Sequence, residues 1–183
     1  MSHGRDPGVA RIVLIGFMAA GKSTVGRALA DRLHWDFVDF DARIEARAGA
    51  APGAIIRERG EPAFRSLEAE LTDEVAGRSR VVLAPGGGWV TETSLADRLG
   101  SGTVRVWLRI SAAEAVRRAA RSGVDRPLLG EPGGQLARAR RLLREREPLY
   151  ARAELAVDVD GKEPDAVVEE IVRRLALNRE DDE

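Results

Sequence analysis

The chain has 183 residues, enough for one α/β domain with its own core and short for two. Its hydrophobic fraction of 44% and charged fraction of 32% are those of a soluble globular protein rather than a disordered one. A formal net charge of -1 excludes the basic face that a nucleic-acid binder needs, and the absence of cysteine excludes disulfides, thiolate nucleophiles and cysteine metal sites. No apolar run approaches the roughly 20 residues that span a bilayer, and the polar start lacks the apolar core of a signal peptide. The expectation is a cytoplasmic protein with no nucleic-acid or membrane partner. Residues 1–10 and the acidic stretch 178–183 read as tails around a single domain at 11–177.

Arg11 to Ile15 is a short β-branched run suited to a buried parallel strand. It feeds Gly16 and a helix starting near Lys22, with Val25, Leu29 and Leu33 at helical spacing. Trp35 to Val38 reads as a second strand, Asp41 to Ala48 as a helix, and Gly49 to Gly60 as a broken stretch holding one short helix. A longer helix is predicted over Pro62 to Ala76, then a third strand at Arg80 to Ala84 that ends at Pro85 and a triple glycine. A helix at Ser94 to Leu99 and a strand at Thr103 to Leu108 follow. Ser111 reads as an N-cap, with Glu114 completing a capping box for a helix to about Arg121. Residues 122–134, rich in Gly and Pro, are expected to form an exposed, mobile loop. A helix from Gln135 to about Glu147, a strand near Leu155 to Val159 and an amphipathic helix over Pro164 to Leu177 close the chain. Strands alternating with helices imply a mostly parallel sheet covered on both faces.

Gly16-Phe-Met-Ala-Ala-Gly21-Lys22-Ser23 fits GxxxxGK[ST], and it stands between a strand and a helix as that motif requires. Glycines let the backbone wrap phosphate oxygens, and the helix start supplies N–H donors and a favourable dipole. The candidate ATP cradle is Gly16, Ala19, Ala20, Gly21, Lys22, Ser23 and Thr24. Lys22 is placed to reach the β- and γ-phosphates and Ser23 to ligate Mg²⁺. Only Lys22 and Lys162 are lysines in a chain that otherwise uses arginine for its cations, so a lysine in this loop points to chemistry. The loop alone names no acceptor. Small size, one domain and a candidate lid favour a small-molecule kinase.

Further motifs follow in order: Asp39-Phe-Asp41 after the second strand, Phe64-Arg65-x-x-Glu68 at a helix start, and Gly86-Gly-Gly88 after the third strand. Asp125-Arg126-Pro127-Leu128-Leu129 falls in the candidate lid, and Arg146-Glu-Pro-Leu-Tyr150 ends the next helix. Together with the P-loop, this ordered set resembles the shikimate kinase family over about Arg11 to Leu177. The resemblance implies a nucleoside-monophosphate-kinase-like P-loop fold: three layers, a five-stranded parallel sheet of order 2-3-1-4-5, helices on both faces and a mobile lid. It implies transfer of the ATP γ-phosphoryl to the 3-hydroxyl of shikimate; the expected working unit is a monomer. Arg65 and Arg146 would grip the acceptor carboxylate, because forked planar donors suit a planar anion. Gly86, Gly87 and Gly88 would allow close backbone approach to the ring. Asp41 would hold the reacting hydroxyl and accept its proton, Asp39 would hold Mg²⁺ through water, and Arg126 would neutralise charge on the transferring group.

Plainer readings stand beside these. Asp39 and Asp41 suit loop-end and N-cap positions, and capping is weighed chiefly for Asp41. Arg65 and Glu68 suit an exposed helical pair worth about 0.2–0.5 kcal/mol. Solvation is the default for Arg126, Arg146, Arg117 and Arg118. Trp89 and Trp107 read as packing residues. Ala19 departs from a common glycine at little expected cost. Pro85 stands where a small residue is usual, Ile56 stands where an aromatic wall for the acceptor ring is expected, and Gly88-Trp89 sets a bulky ring beside the acceptor loop. The alternatives are a kinase for another hydroxy acid or sugar acid such as gluconate, and a nucleotide-binding regulator without transfer activity.

Overall fold

The computed structural model describes residues 8–124, 126–130 and 133–176, so most of both expected tails and Asp125 lie outside it. Five strands form one parallel sheet: β1 (Arg11–Ile15), β2 (Asp36–Asp39), β3 (Val81–Ala84), β4 (Thr103–Arg109) and β5 (Leu155–Asp158), in the order β2-β3-β1-β4-β5. Every residue of β1 is buried, as its apolar run requires of the central strand. The exception in kind is Arg11, whose guanidinium donates to Thr103 Oγ1 at 3.0 Å and to the carbonyls of Arg78 and Ser101 at 2.6 Å. Its charge is thus surrounded by oxygens rather than left in an apolar core. Edge strand β5 alternates buried and more exposed positions, and edge strand β2 buries Val38 alone of its four residues.

Helices surround this sheet: α1 (Lys22–Leu33), α2 (Phe40–Ala48), α3 (Pro52–Arg59), α4 (Glu61–Val75), α5 (Ser94–Arg98), α6 (Ala112–Ser122), α7 (Gln135–Tyr150) and α8 (Pro164–Arg174). Helix α1 packs on α8 and along β2 and β3, α3 packs on α4, and α6 packs on α7. None of the described helices is long and apolar enough to cross a membrane.

The expected elements appear with boundaries within about three residues, and three details differ. The capping box is half made. Ser111 Oγ accepts the Glu114 N–H at 3.2 Å, but the Ser111 N–H goes to Asp160 Oδ1 at 3.0 Å. The Glu114 carboxylate is held instead by Arg117 and Arg118, at 2.6–2.7 Å. Helix α7 does not stop at Glu147 but runs through Pro148 to Tyr150. A proline near a helix end removes few backbone bonds. The last turn is held by a fully buried Tyr150, whose hydroxyl donates to the Gly87 carbonyl. The candidate lid is not wholly exposed. Its described residues include the 3₁₀ turn Pro127–Leu129, whose Leu129 is buried in the core.

Candidate functional site

Strand β1 delivers the chain to Gly16, where φ is +152° and a Cβ would lie 2.6 Å from the Leu108 carbonyl oxygen. Only glycine fits there. Gly21 caps α1 with φ at +91°, so successive backbone N–H groups turn toward the helix start. Ala19 sits at φ +61°, in the left-handed region. The little expected cost is therefore an underestimate, since a Cβ in that region costs roughly 1–2 kcal/mol.

The Lys22 ammonium donates to the Gly16 and Phe17 carbonyls at 2.9 and 3.0 Å. An ammonium has three donors, so one remains for a phosphate oxygen. Burial lowers the Lys22 pKa to about 8, with Asp41 opposing that fall and Arg126 adding to it.

A cavity of about 710 Å³ opens over this loop. Ala19, Ala20, Gly21, Lys22, Ser23 and Thr24 line it, together with Asp39, Asp41, Gly86, Gly87 and Arg126. Strands β1, β2 and β3 all end at this rim, as parallel α/β sheets place their ligands. Asp41 is reached by solvent through the cavity, yet protein encloses it on most sides, and that desolvation pushes its carboxyl above the usual range. Capping falls on Asp39, not Asp41: Asp39 Oδ1 accepts the Ala42 N–H at 3.3 Å, and Asp41 lies within the first turn of α2. The reason is register, since β2 runs one residue further than expected and α2 starts at once. Arg126 faces the same cavity with its Nε buried and without a hydrogen-bond partner, and desolvation lowers its pKa. A buried unpaired guanidinium donor is costly unless an anion reaches it.

Arg65 and Arg146 assemble on the far side of the Gly86–Gly88 turn. They line a second cavity of about 700 Å³ with Glu61, Thr91 and Glu92. A Cβ at Gly88 would strike the Arg65 guanidinium and approach Arg146 Nη2 to 3.2 Å, while one at Gly87 would lie 3.2 Å from the Gly16 carbonyl and the Met18 nitrogen. The triple glycine thus lets one turn pack against the P-loop and both arginines at once. Arg65 and Glu68 are not an exposed helical pair. Glu68 is fully buried, binds Arg65, and accepts the Gly86 N–H at 2.9 Å. Burial raises the Glu68 pKa, and the Arg65 charge opposes that rise. The tether fixes the glycine turn to α4.

Trp89 does not stand beside an acceptor. It is buried, and its Nε1–H donates to Thr72 Oγ1 at 3.0 Å, whose hydroxyl in turn donates to the Glu68 carbonyl at 2.7 Å. The 3₁₀ turn Trp89–Thr91 swings the ring into the core, where Trp107 also packs, stacked on Tyr150 at 5.9 Å between centroids. Ile56 is half-buried against that core. Sequence reasoning missed Glu61, and it assigned Arg117 and Arg118 to solvent: Arg117 is exposed as expected, Arg118 is half-buried, and both line the first cavity with Glu114 and Lys162. Arg118 bonds Glu114 at 2.7 Å and the Val159 carbonyl at 2.8 Å. The capping-box position of Glu114 was a signal for this cluster, because a carboxylate three and four residues before two arginines pairs with them.

Among the described residues, no group of three or more His, Cys, Asp or Glu forms a metal cage. Ser23 and Asp39 line one cavity and offer the hard oxygens that Mg²⁺ takes when phosphates and waters complete its shell.

The family model described as Shikimate kinase matches residues 18–176. The chain belongs to the shikimate kinase family. A shikimate kinase from Halorhodospira halophila is 43% identical over 176 residues, covering 96% of this chain and 97% of its own length. A solved shikimate kinase from Acinetobacter baumannii, in complex with shikimate, superposes with a TM-score of 0.85 at 32% identity, over 94% of this chain and 96% of that one. A gluconokinase from Sinorhizobium meliloti shares the fold, with a TM-score of 0.59 and 24% identity over 94% of both chains. The chain is thus a P-loop kinase whose own parallel sheet has the order 2-3-1-4-5, and the solved shikimate kinase superposes on that fold.

Proposed function

We propose that this shikimate kinase transfers the γ-phosphoryl group of ATP to the 3-hydroxyl of shikimate, with Asp41, Lys22 and Arg126 as the catalytic groups. The observation that carries the reading is the convergence of these three side chains on the P-loop cavity. The triphosphate lies along the N–H groups of residues 19–24, with Lys22 and Arg126 on the oxygens that gain charge. Ser23 and Asp39 would hold Mg²⁺, which when bound would help neutralise the phosphate charge. Asp41 orients the acceptor hydroxyl. As the new P–O bond forms and the bond to the β-phosphate breaks, the hydroxyl proton passes to the Asp41 carboxylate, whose raised pKa suits it to that task.

Arg65 and Arg146 hold the acceptor carboxylate, and the Gly86–Gly88 turn lies along the ring. Closure of the lid at 122–134 excludes water as a rival acceptor. The working unit is a cytoplasmic monomer with one kinase domain at 11–177, placing it in aromatic amino acid biosynthesis. The gluconate reading rests on fold alone, because the gluconokinase relative is 24% identical. The test is an acceptor panel with Mg-ATP: shikimate gives shikimate 3-phosphate and ADP, and gluconate gives neither. Folded, ATP-binding protein that forms no shikimate 3-phosphate overturns the assignment.

A further inference from the structure

The two arginines assigned above to the acceptor carboxylate already hold a carboxylate. Glu61 Oε1 accepts from Arg65 Nε at 3.3 Å and Arg65 Nη2 at 3.0 Å, and it lies 3.7 Å from Arg146 Nη2. One oxygen is thus shared by two guanidinium groups that are themselves 16% and 7% exposed. Glu68 does not compete for this place. It is fully buried on the Nη1 side of Arg65 and is tied to the Gly86 N–H.

The Glu61 side chain differs from Glu68 in its freedom. It is 38% exposed, on the wall of the second cavity, and it begins α4 with only Pro62 before the helix is under way. A carboxylate that swings into water is rehydrated there, and beside the first turn of a helix it keeps part of the helix-dipole stabilisation. It therefore loses little when it swings into water, whereas Arg65 and Arg146, being buried, need an anion in its place.

We propose that the Glu61 carboxylate is an internal occupant of the Arg65–Arg146 clamp, displaced by the carboxylate of the acceptor, and that this exchange sets acceptor affinity and restricts the clamp to carboxylated acceptors. This rests on the reading that Arg65 and Arg146 bind the acceptor carboxylate. In the empty enzyme Glu61 keeps two buried cations paired. On binding, an anion is traded for an anion, so a neutral ring without a carboxylate leaves Glu61 in place and finds the clamp shut.

The experiment compares Glu61→Gln with wild type for shikimate and for its methyl ester. With the competing charge gone, the KM for shikimate and the Kd of shikimate measured without nucleotide fall about fivefold. The kcat moves less than KM, and the gain is smaller for the ester. An unchanged or raised KM for shikimate overturns the proposal and makes Glu61 a prop for the arginines. Arg146→Ala, assayed alongside, separates this from failure of the clamp reading. If that variant leaves the KM for shikimate unchanged, the clamp itself is misassigned and the proposal falls with it. A measurement on the unmutated enzyme guards against a variant that fails to fold: the Arg65 Nε–H resonance shifts when shikimate is added, because its Glu61 partner leaves. A resonance that stays still overturns the exchange.

Discussion

Replacing Glu68 by alanine removes a side chain that solvent does not reach and that binds two groups at once. Arg65 is left half without an anion, and the Gly86 N–H loses its acceptor. Breaking a buried pair by deleting one partner costs about 3–5 kcal/mol, and Arg65 keeps Glu61, so the low end applies: about 3 kcal/mol. For a domain of this size each kcal/mol shifts Tm by about 2–4 °C, which gives a fall of about 6–12 °C. Glu68→Gln keeps an oxygen for Gly86 but no charge for Arg65. Its loss is nearer 1.5 kcal/mol, the scale of one hydrogen bond to a charged group. Calorimetric melts at neutral pH without ligand measure both, and KM for shikimate reports whether the freed glycine turn has moved. A fall under about 2 °C for Glu68→Ala would refute the claim that this carboxylate braces α4 against the triple glycine.

Three further outcomes are expected. Lys22, with its pKa lowered to about 8, is partly deprotonated in the free enzyme above that pH. Phosphate oxygens favour the protonated ammonium, so nucleotide binding takes up protons above pH 8 and weakens as pH rises; calorimetry in buffers of differing ionisation enthalpy measures the uptake, which Lys22→Met abolishes. Asp41→Asn keeps ATP affinity and loses at least about 100-fold in kcat, the contribution of a positioned general base; steady-state kinetics showing near-normal kcat removes Asp41 from the mechanism. Ala19→Gly relieves a left-handed φ of +61° and raises Tm by about 2–4 °C, since about 1 kcal/mol of backbone strain is released; a thermal melt that moves down instead shows that the loop was not strained.

Much of this protein is written locally. The order of strands and helices follows from β-branched runs alternating with helical spacing, and the P-loop from a contiguous motif whose glycines answer a steric need at Gly16. The sheet order followed from the family resemblance, because which strand lies beside which is set by crossovers that no local pattern encodes. The capping error at Asp39 and Asp41 was one of register: the cap lies two residues earlier, at Asp39, which puts Asp41 in the first turn of α2 on the cavity wall. The end of α7, expected at about Glu147, falls at Tyr150, because the anchoring of Tyr150 on Gly87 is not visible in sequence.

The site divides along the same line. Lys22, Ser23 and the glycines declared themselves by spacing, since the chemistry of a phosphate cradle is made by consecutive backbone groups. Arg65, Glu68 and Arg146 look in sequence like a helical pair and one more arginine in an arginine-rich chain. Only tertiary packing buries them, and burial is what turns an ordinary surface charge into a group that requires a counter-ion. Trp89 is the converse: next to the triple glycine in sequence, it is carried by one 3₁₀ turn into the core and away from the acceptor loop. The phosphate loop was determined by the sequence itself; the neighbours of the acceptor clamp, Glu61 among them, were decided by the fold, because ion pairing at a buried site depends on which distant segments exclude water around it.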